Sequence, residues 1–153
     1  MKPAVSPEED EPRSQRKVWL SLLAKASPAR LAVLFPELPD HTLLRRPEVG
    51  AVMVRGRMGG TGAPFNLGEM TITRCSVQLP GGEVGHAYVQ GRDKAHATRA
   101  ACVDALMQTE AAADLQARVL DVLAAEAASA RQLRAEKAAA TKVDFFTLVR
   151  GED

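Results

Sequence analysis

Hydrophobic residues in the first quarter of the chain recur at helical spacing. The pattern over residues 18–23 predicts a helix that begins near Ser14. Ser27-Pro28 interrupts this helix, and Pro28 is well placed in the first turn of a second, shorter helix that Pro36 stops. The pattern therefore predicts two helices ahead of the rest of the fold.

The middle third alternates apolar and polar residues with a period of two, which is typical of β-strands. Strands are predicted over residues 42–46, 51–58, 69–79 and 84–90. In the second of these, Val52 and Val54 share one face, while Arg55 and Arg57 share the other. Pro80 and the two glycines after it mark a tight turn between the last two strands. A meander of three or four antiparallel strands is the expected result.

The strand over residues 69–79 changes phase along its length. Met70 and Ile72 share one parity, whereas the apolar residues from Cys75 to Leu79 share the other. A slip of one residue near Thr73-Arg74 would produce this change, so a β-bulge is predicted there.

Two long helices are predicted after the sheet. Asp93 fits the N-cap of a helix running to about Glu110, because its carboxylate can accept the free N–H groups of the first turn. A second helical segment covers about residues 113–142 and would extend about 45 Å. Beyond Ala124 its only large apolar residue is Leu133. We expect this half to lie along another chain or to project outward.

These patterns define an α+β fold with N-terminal helices, a three- or four-stranded antiparallel meander and two long C-terminal helices. Residues 1–13 contain three prolines and a run of four acidic residues, and they lack an apolar signal core. We interpret them as a disordered leader. Residues 14–153 are predicted to form a single domain with a partner-binding C-terminal helix and tail.

Composition narrows the possible functions. The formal net charge of +1 argues against a general binder of nucleic acid or membrane surfaces. No apolar stretch approaches the ~20 residues that cross a bilayer. Cys75 and Cys102 are the only cysteines, and we expect them to be buried thiols in a reducing cytoplasm.

The chain shows no constellation typical of a catalytic centre. No serine or cysteine lies in a nucleophile context, and no pair of carboxylates stands out for acid–base chemistry. His41, His86 and His96 are dispersed, without a second ligand at metal-binding spacing. The sequence therefore predicts no catalytic residue, no metal site and no cofactor bound by this chain alone.

A glycine-rich loop after the second predicted strand is a candidate anion site. Its residues are Arg57, Gly59, Gly60, Thr61 and Gly62. The loop lacks the Gly-Lys-Ser/Thr of a nucleotide P-loop and the third glycine of the dinucleotide fingerprint. We interpret it first as a hairpin connection that needs positive φ. Arg57, together with Arg74 on the facing strand, leaves open a backbone nest for an anion.

The junction Gly91-Arg92-Asp93-Lys94 admits two interpretations. In one, Gly91 makes the bend, Asp93 caps the next helix, and Arg92 and Lys94 are solvated. In the other, Arg92 and Lys94 flank a helix N-terminus that binds an anion. The Asp93 carboxylate would itself occupy the N–H groups of that helix N-terminus, so both interpretations stay open.

The end of the chain carries the candidate partner-binding residues. They are Leu133, Val143, Asp144, Phe145, Phe146, Leu148 and Arg150. Phe145 and Phe146 are two of only six aromatic residues (one Trp, one Tyr and four Phe), and they follow a helix poor in large side chains. The tail could fold back on its own core, but aromatic anchors of this kind are typical of interfaces.

The sequence resembles the G-subunit (PhnG) family of the bacterial carbon–phosphorus lyase core complex over about residues 19–151. Four segments carry the resemblance: Arg57-Met58-Gly59-Gly60-Thr61-Gly62, residues 67–74, residues 89–94 with 104–108, and residues 143–151. Separated peptides in the same order make the resemblance specific.

The resemblance implies a cytoplasmic role in organophosphonate use. With the H, I and L proteins, such a subunit takes part in displacing adenine from ATP by methylphosphonate. The implied partners are the I subunit first, then H and J in a hetero-oligomeric core complex, with ATP and methylphosphonate as substrates of the complex.

The leading hypothesis is therefore an accessory subunit of that transferase, not catalytic by itself, which holds the I subunit in its active shape. A second hypothesis makes Arg57, the glycine loop, Arg74, Arg92 and Lys94 direct contributors to the substrate site. A third is a standalone anion-binding regulatory domain.

Overall fold

The computed structural model describes residues 7–142, with side chains from Ser14 onward. Helix α1 spans Pro7–Lys25 and helix α2 spans Pro28–Leu34. The predicted break is confirmed, because the Ser27 hydroxyl accepts the Arg30 N–H at the start of α2 and Pro28 occupies its first turn. Helix α1 begins earlier than the predicted Ser14, and the boundary between leader and domain stays a prediction.

Three antiparallel strands follow in the order β1-β2-β3. Strand β1 spans Thr42–Arg57, β2 spans Pro64–Gln78 and β3 spans Val84–Gln90. The predicted meander is confirmed, but residues 42–46 and 51–58 belong to one strand instead of two. The register between β1 and β2 shifts on both sides of Arg45. These irregularities let one strand continue through Pro47, which has no N–H to donate.

The bulge predicted at Thr73-Arg74 is absent. Thr73 pairs with Val49 and Val89, and Arg74 pairs with Glu48 and Tyr88 without a shift between them. The nearest irregularity lies between Arg74 and Ser76, where β1 and not β2 carries the extra residue. Thr73 lies on the same buried face as Cys75, and its hydroxyl donates to the Gly91 carbonyl at 2.8 Å. A polar residue therefore fits the inward position, and Met70 and Ile72 simply lie on the opposite face.

The C-terminal half is helical, as predicted. Helix α3 spans Lys94–Leu106, ending four residues before the predicted Glu110, and the Asp93 carboxylate accepts the His96 N–H at its start (2.8 Å). Helix α4 (Ala112–Leu115), a π-helical turn (Gln116–Leu120) and helix α5 (Asp121–Ala140) then follow without a break.

The core lies between the helices and one face of the sheet. It combines Leu23 and Leu31 from the first two helices with Val77 and Val89 from the strands and Val103 from α3. Strand β3 approaches α3 so closely at Gly85 that an added Cβ would lie 2.0 Å from the Ala101 carbonyl oxygen. The opposite face of β3 is open, since His86, Tyr88 and Gln90 are exposed.

Strands β1 and β2 extend beyond the body of the protein as a two-stranded ribbon. Strand β3 pairs only with residues 72–78 of β2, so from Thr71 to Pro64 the strand β2 has β1 as its single neighbour in the sheet. This stretch is roughly 24 Å long at about 3.4 Å per residue. We call residues 51–71, with the turn that closes them, the β-arm.

Candidate functional site

The glycine-rich loop forms the tip of the β-arm. Met58–Gly60 make one 3-10 turn, and Gly59 and Gly60 have φ values of 61° and 81°, a region that favours glycine. The Arg57 guanidinium donates to the Gly62 carbonyl at 3.1 Å. The hairpin interpretation of the loop is confirmed, and Thr61 is exposed at its end.

Arg92 and Lys94 lie at the base of the β-arm. The Gly91 N–H donates to the Thr71 carbonyl at 3.0 Å, which fixes this junction beside β2. Gly91 takes the positive φ of 92° that the bend requires. Both basic side chains are exposed, while the Asp93 carboxylate occupies the first turn of α3.

Arg74 occupies a third position, on the open face of the sheet. Its Nε donates to Glu48 Oε2 at 3.0 Å, so its charge is partly neutralised within the chain. Arg57 at the tip is separated from Gly91 by the length of the β-arm, roughly 24 Å. The structure thus distributes the predicted anion-binding residues over three places, and substrate contact by any of them stays a prediction.

The most polar buried centre is one that the sequence patterns did not reveal. The Asp104 side chain is fully buried and accepts hydrogen bonds from Arg16 (3.1 and 2.7 Å), the Trp19 indole (2.9 Å) and the His86 N–H (2.8 Å). Arg16 also donates to the Val84 carbonyl at 3.2 Å. The cluster joins α1, β3 and α3. The sequence does contain one indication of this cluster, because Asp104 is an acidic residue within the apolar run from Cys102 to Leu106.

His96 is a packed histidine inside the helical layer. Its Nε2 lies 3.0 Å from the Leu23 carbonyl, which only accepts, so the proton belongs on Nε2. Nδ1 is buried without a partner. Burial lowers the pKa of His96, against an opposing effect of the Leu23 hydrogen bond. Within residues 14–142 no cluster of His, Cys, Asp or Glu side chains is suited to a metal ion.

Cys75 and Cys102 are buried free thiols, as expected. Burial raises the pKa of both, and it raises the pKa of Cys102 to about 11 with a further contribution from neighbouring Cys75. A thiol needs its thiolate form to act as a nucleophile. Both cysteines are therefore protonated and unreactive at neutral pH.

The second half of α5 projects from the body. Leu123 is the only buried residue of this helix, and Leu133 is 53% exposed. The exposure expected for this half is confirmed. The predicted tail residues Val143, Asp144, Phe145, Phe146, Leu148 and Arg150 lie outside the described part of the chain.

A groove runs beside the base of this projection, between α1 and the last helices. It has a volume of about 710 Å³ and is lined mainly by Val18, Trp19, Leu22, Met107 and Leu120. An apolar groove next to an exposed helix is a surface suited to contact with another chain.

These features define a small α+β chain that exposes an arm and a helix, which is typical of a subunit of a larger assembly. The sequence model of the family described as "Phosphonate metabolism protein PhnG" matches residues 14–151. The chain therefore belongs to the PhnG family.

A full-length relative adds detail. The alpha-D-ribose 1-methylphosphonate 5-triphosphate synthase subunit PhnG of Rhizobium meliloti (strain 1021) is 43% identical over an alignment of 156 positions, which covers the whole of both chains. Across residues 7–142, no helix combines the length and apolar character needed to span a membrane.

Proposed function

We propose that this chain is an accessory subunit of ribose 1-methylphosphonate 5-triphosphate synthase, acting in phosphonate breakdown. With the H, I and L proteins it would support transfer of ribose 5-triphosphate from ATP to methylphosphonate, displacing adenine. The observation that carries the proposal is the full-length relationship, at 43% identity, to a synthase subunit. We propose that the chain acts in the cytoplasm.

The role we assign to the chain is structural support of the catalytic partner. The I subunit is the proposed principal partner, with H and J completing a hetero-oligomeric core complex. The exposed half of α5, with Leu133 half in solvent, supports this role because so little of that helix is buried by its own chain. ATP and methylphosphonate are then substrates of the complex.

One experiment tests the assignment directly. The H, I and L proteins are combined with ATP and methylphosphonate, with and without this chain, and adenine release is followed by liquid chromatography. We expect release to require this chain. Equal release in its absence would remove the proposed role.

A second candidate function is a direct contribution to the substrate site. It is favoured by Arg57, Arg92 and Lys94, which are exposed and have no ion pair within the described residues. Charge-assisted hydrogen bonds to a phosphate are each worth about 1.5–3 kcal/mol. Arg57→Ala or Arg92→Ala should then raise the KM for ATP or methylphosphonate in the assembled enzyme without loss of assembly. Loss of assembly at unchanged KM would favour the supporting role instead.

A further inference from the structure

The β-arm has one face made of apolar side chains. Along it, Val52 pairs with Met70, Val54 pairs with Gly68, and Gly56 pairs with Phe65. These cross-strand partners lie on the same side of the ribbon. The body of the same sheet face instead carries exposed polar groups such as His86 and Gln90. Tyr88 is the exposed large apolar side chain of β3 on this face, so the apolar surface is concentrated in the arm.

A bulge brings an extra side chain to this face. The register shifts between Val54 and Arg55, so that Leu67 is the one unpaired residue of β2 in the arm. A Cβ added at Gly56 would lie 3.7 Å from the Phe65 ring and 3.8 Å from the Leu67 Cβ. Gly56 thus leaves room for both side chains on its own face. Leu67 is 66% exposed and Phe65 is also exposed.

An isolated two-stranded ribbon is at best marginally stable in water. This one also leaves backbone groups of β2 without a third strand beyond Ile72, and such edges are ready to contact another chain. A permanently solvated arm would be expected to carry polar residues on both faces. The apolar face therefore indicates a surface that is covered in the working protein.

The charges of the arm indicate what covers it. The β-arm contains Arg55 and Arg57 toward its tip and one acidic residue, Glu69, near its base. Neither arginine has a carboxylate partner within the described residues. At the base, Glu48 is already paired with Arg74, and Glu69 lies opposite Met53 in the register and forms no ion pair with either arginine. A second copy of this chain would present the same basic tip, so the arm is poorly suited to self-association.

We propose that the β-arm is a docking element that inserts its apolar face, centred on Phe65 and Leu67, into an apolar cleft of another synthase subunit with carboxylates at its rim. The inference rests on the proposed function and adds an interface separate from α5 and the tail. In it, Arg55 and Arg57 pair with the rim, and the glycines at the tip provide the tight turn that lets the arm enter.

The test compares two exposed aliphatic side chains of similar accessibility. Leu67→Asp changes the arm, and Val33→Asp changes α2 at a side chain that is 68% exposed. Each full-length variant is titrated against the complex of the remaining synthase subunits by biolayer interferometry. We expect Leu67→Asp and Phe65→Asp each to raise the Kd at least tenfold, while Val33→Asp leaves it within twofold. Circular dichroism checks that each variant keeps the wild-type fold.

Charge reversal tests the rim of the cleft. Arg55→Glu with Arg57→Glu should raise the Kd at least tenfold, whereas Lys17→Glu, at an exposed position of α1, should not. If the arginines met only solvent, both variants would bind as the wild type does.

The outcomes separate this inference from the proposed function. A wild-type chain that does not bind the other subunits would overturn the proposed function. Wild-type binding with an unchanged Kd for Leu67→Asp and Phe65→Asp would overturn the docking arm alone. A free wild-type dimer in light scattering that Leu67→Asp converts to a monomer would assign the face to a second copy and overturn the proposed partner.

Discussion

The Arg16 guanidinium donates two hydrogen bonds to the Asp104 carboxylate, from Nε to Oδ1 at 3.1 Å and from Nη2 to Oδ2 at 2.7 Å. The two residues are 88 positions apart in the sequence, and this pair ties helix α1 to helix α3. The carboxylate is fully buried while the Arg16 side chain is 33% exposed. The buried carboxylate is tolerated because it forms an ion pair and because both of its oxygens accept hydrogen bonds.

Breaking this pair should be costly. Asp104→Ala leaves Arg16, the Trp19 N–H and the His86 N–H without their acceptor, so we expect the free energy of unfolding to fall by about 3–5 kcal/mol. Urea unfolding followed by circular dichroism measures the change. Arg118→Ala removes an exposed i,i+4 pair with Asp114 and should leave the unfolding curve nearly unchanged. Equal effects of the two substitutions would show that burial of Asp104 contributes nothing.

The approach of β3 to α3 at Gly85 gives a second prediction. An added Cβ would lie 2.0 Å from the Ala101 carbonyl oxygen and 2.6 Å from the Ala105 nitrogen, both backbone atoms that cannot rotate away. Gly85→Ala should therefore destabilise the fold by about 1–3 kcal/mol or more. Gly50→Ala is the matched control, because nothing lies within 4 Å of its added Cβ. A lower urea midpoint is expected for Gly85→Ala alone.

The buried His96 predicts a pH dependence of stability. Its folded-state pKa lies below its ordinary value of 6.5, so the unfolded chain binds the proton first as pH falls. The stability that neutral His96 contributes is therefore complete above pH 6.5 and is lost progressively between 6.5 and the lowered pKa. His96→Gln removes this titration while keeping a donor for the Leu23 carbonyl.

Urea unfolding at several pH values measures the free energy of unfolding of the wild type and of His96→Gln. We expect the stability gap between wild type and His96→Gln to shrink as pH falls from 7.5 to 5. A gap independent of pH would mean that His96 titrates alike in the folded and unfolded chains.

Local features of the sequence were sufficient where local contacts decide the structure. The Asp93 cap and the Ser27-Pro28 break each depend on residues only a few positions apart. The meander follows from hairpin connections between strands that are neighbours in the sequence. The predicted bulge at Thr73 was wrong because parity alone cannot show that the Gly91 carbonyl accepts the threonine hydroxyl inside the core.

Features that depend on distant contacts were not visible in the sequence. Gly85 resembles any strand glycine until α3 is packed against it. Asp104 resembles an ordinary helical acid until Arg16 and Trp19 are brought to it by α1. The candidate anion-binding residues were placed correctly at a turn, at a junction or, for Arg74, within a strand, but the distance between the turn and the junction required the register of β1 and β2.

The thiols should resist modification in the folded protein. The pKa of Cys102, raised to about 11 from 9.0, leaves about 100-fold less thiolate at pH 8 than an unperturbed cysteine has. Alkylation by iodoacetamide, followed by mass spectrometry, should therefore be at least 100-fold slower at Cys102 in the native chain than in urea. Labelling at the same rate in both conditions would contradict the burial of this thiol.

The exposed half of α5 gives the last prediction, which concerns the supporting role proposed for this chain. Leu133 is the one large apolar side chain of that half and is 53% exposed, so replacing it should not disturb the folded chain itself. If the helix lies against the I subunit, Leu133→Asp places a charge in that contact. We expect at least a tenfold rise in the Kd for the I subunit, measured by biolayer interferometry, and an unchanged urea midpoint of the free chain. Val33→Asp again serves as the exposed control. Wild-type affinity in Leu133→Asp would show that α5 projects into solvent in the assembly, and the supporting contact would then have to come from another surface of the chain.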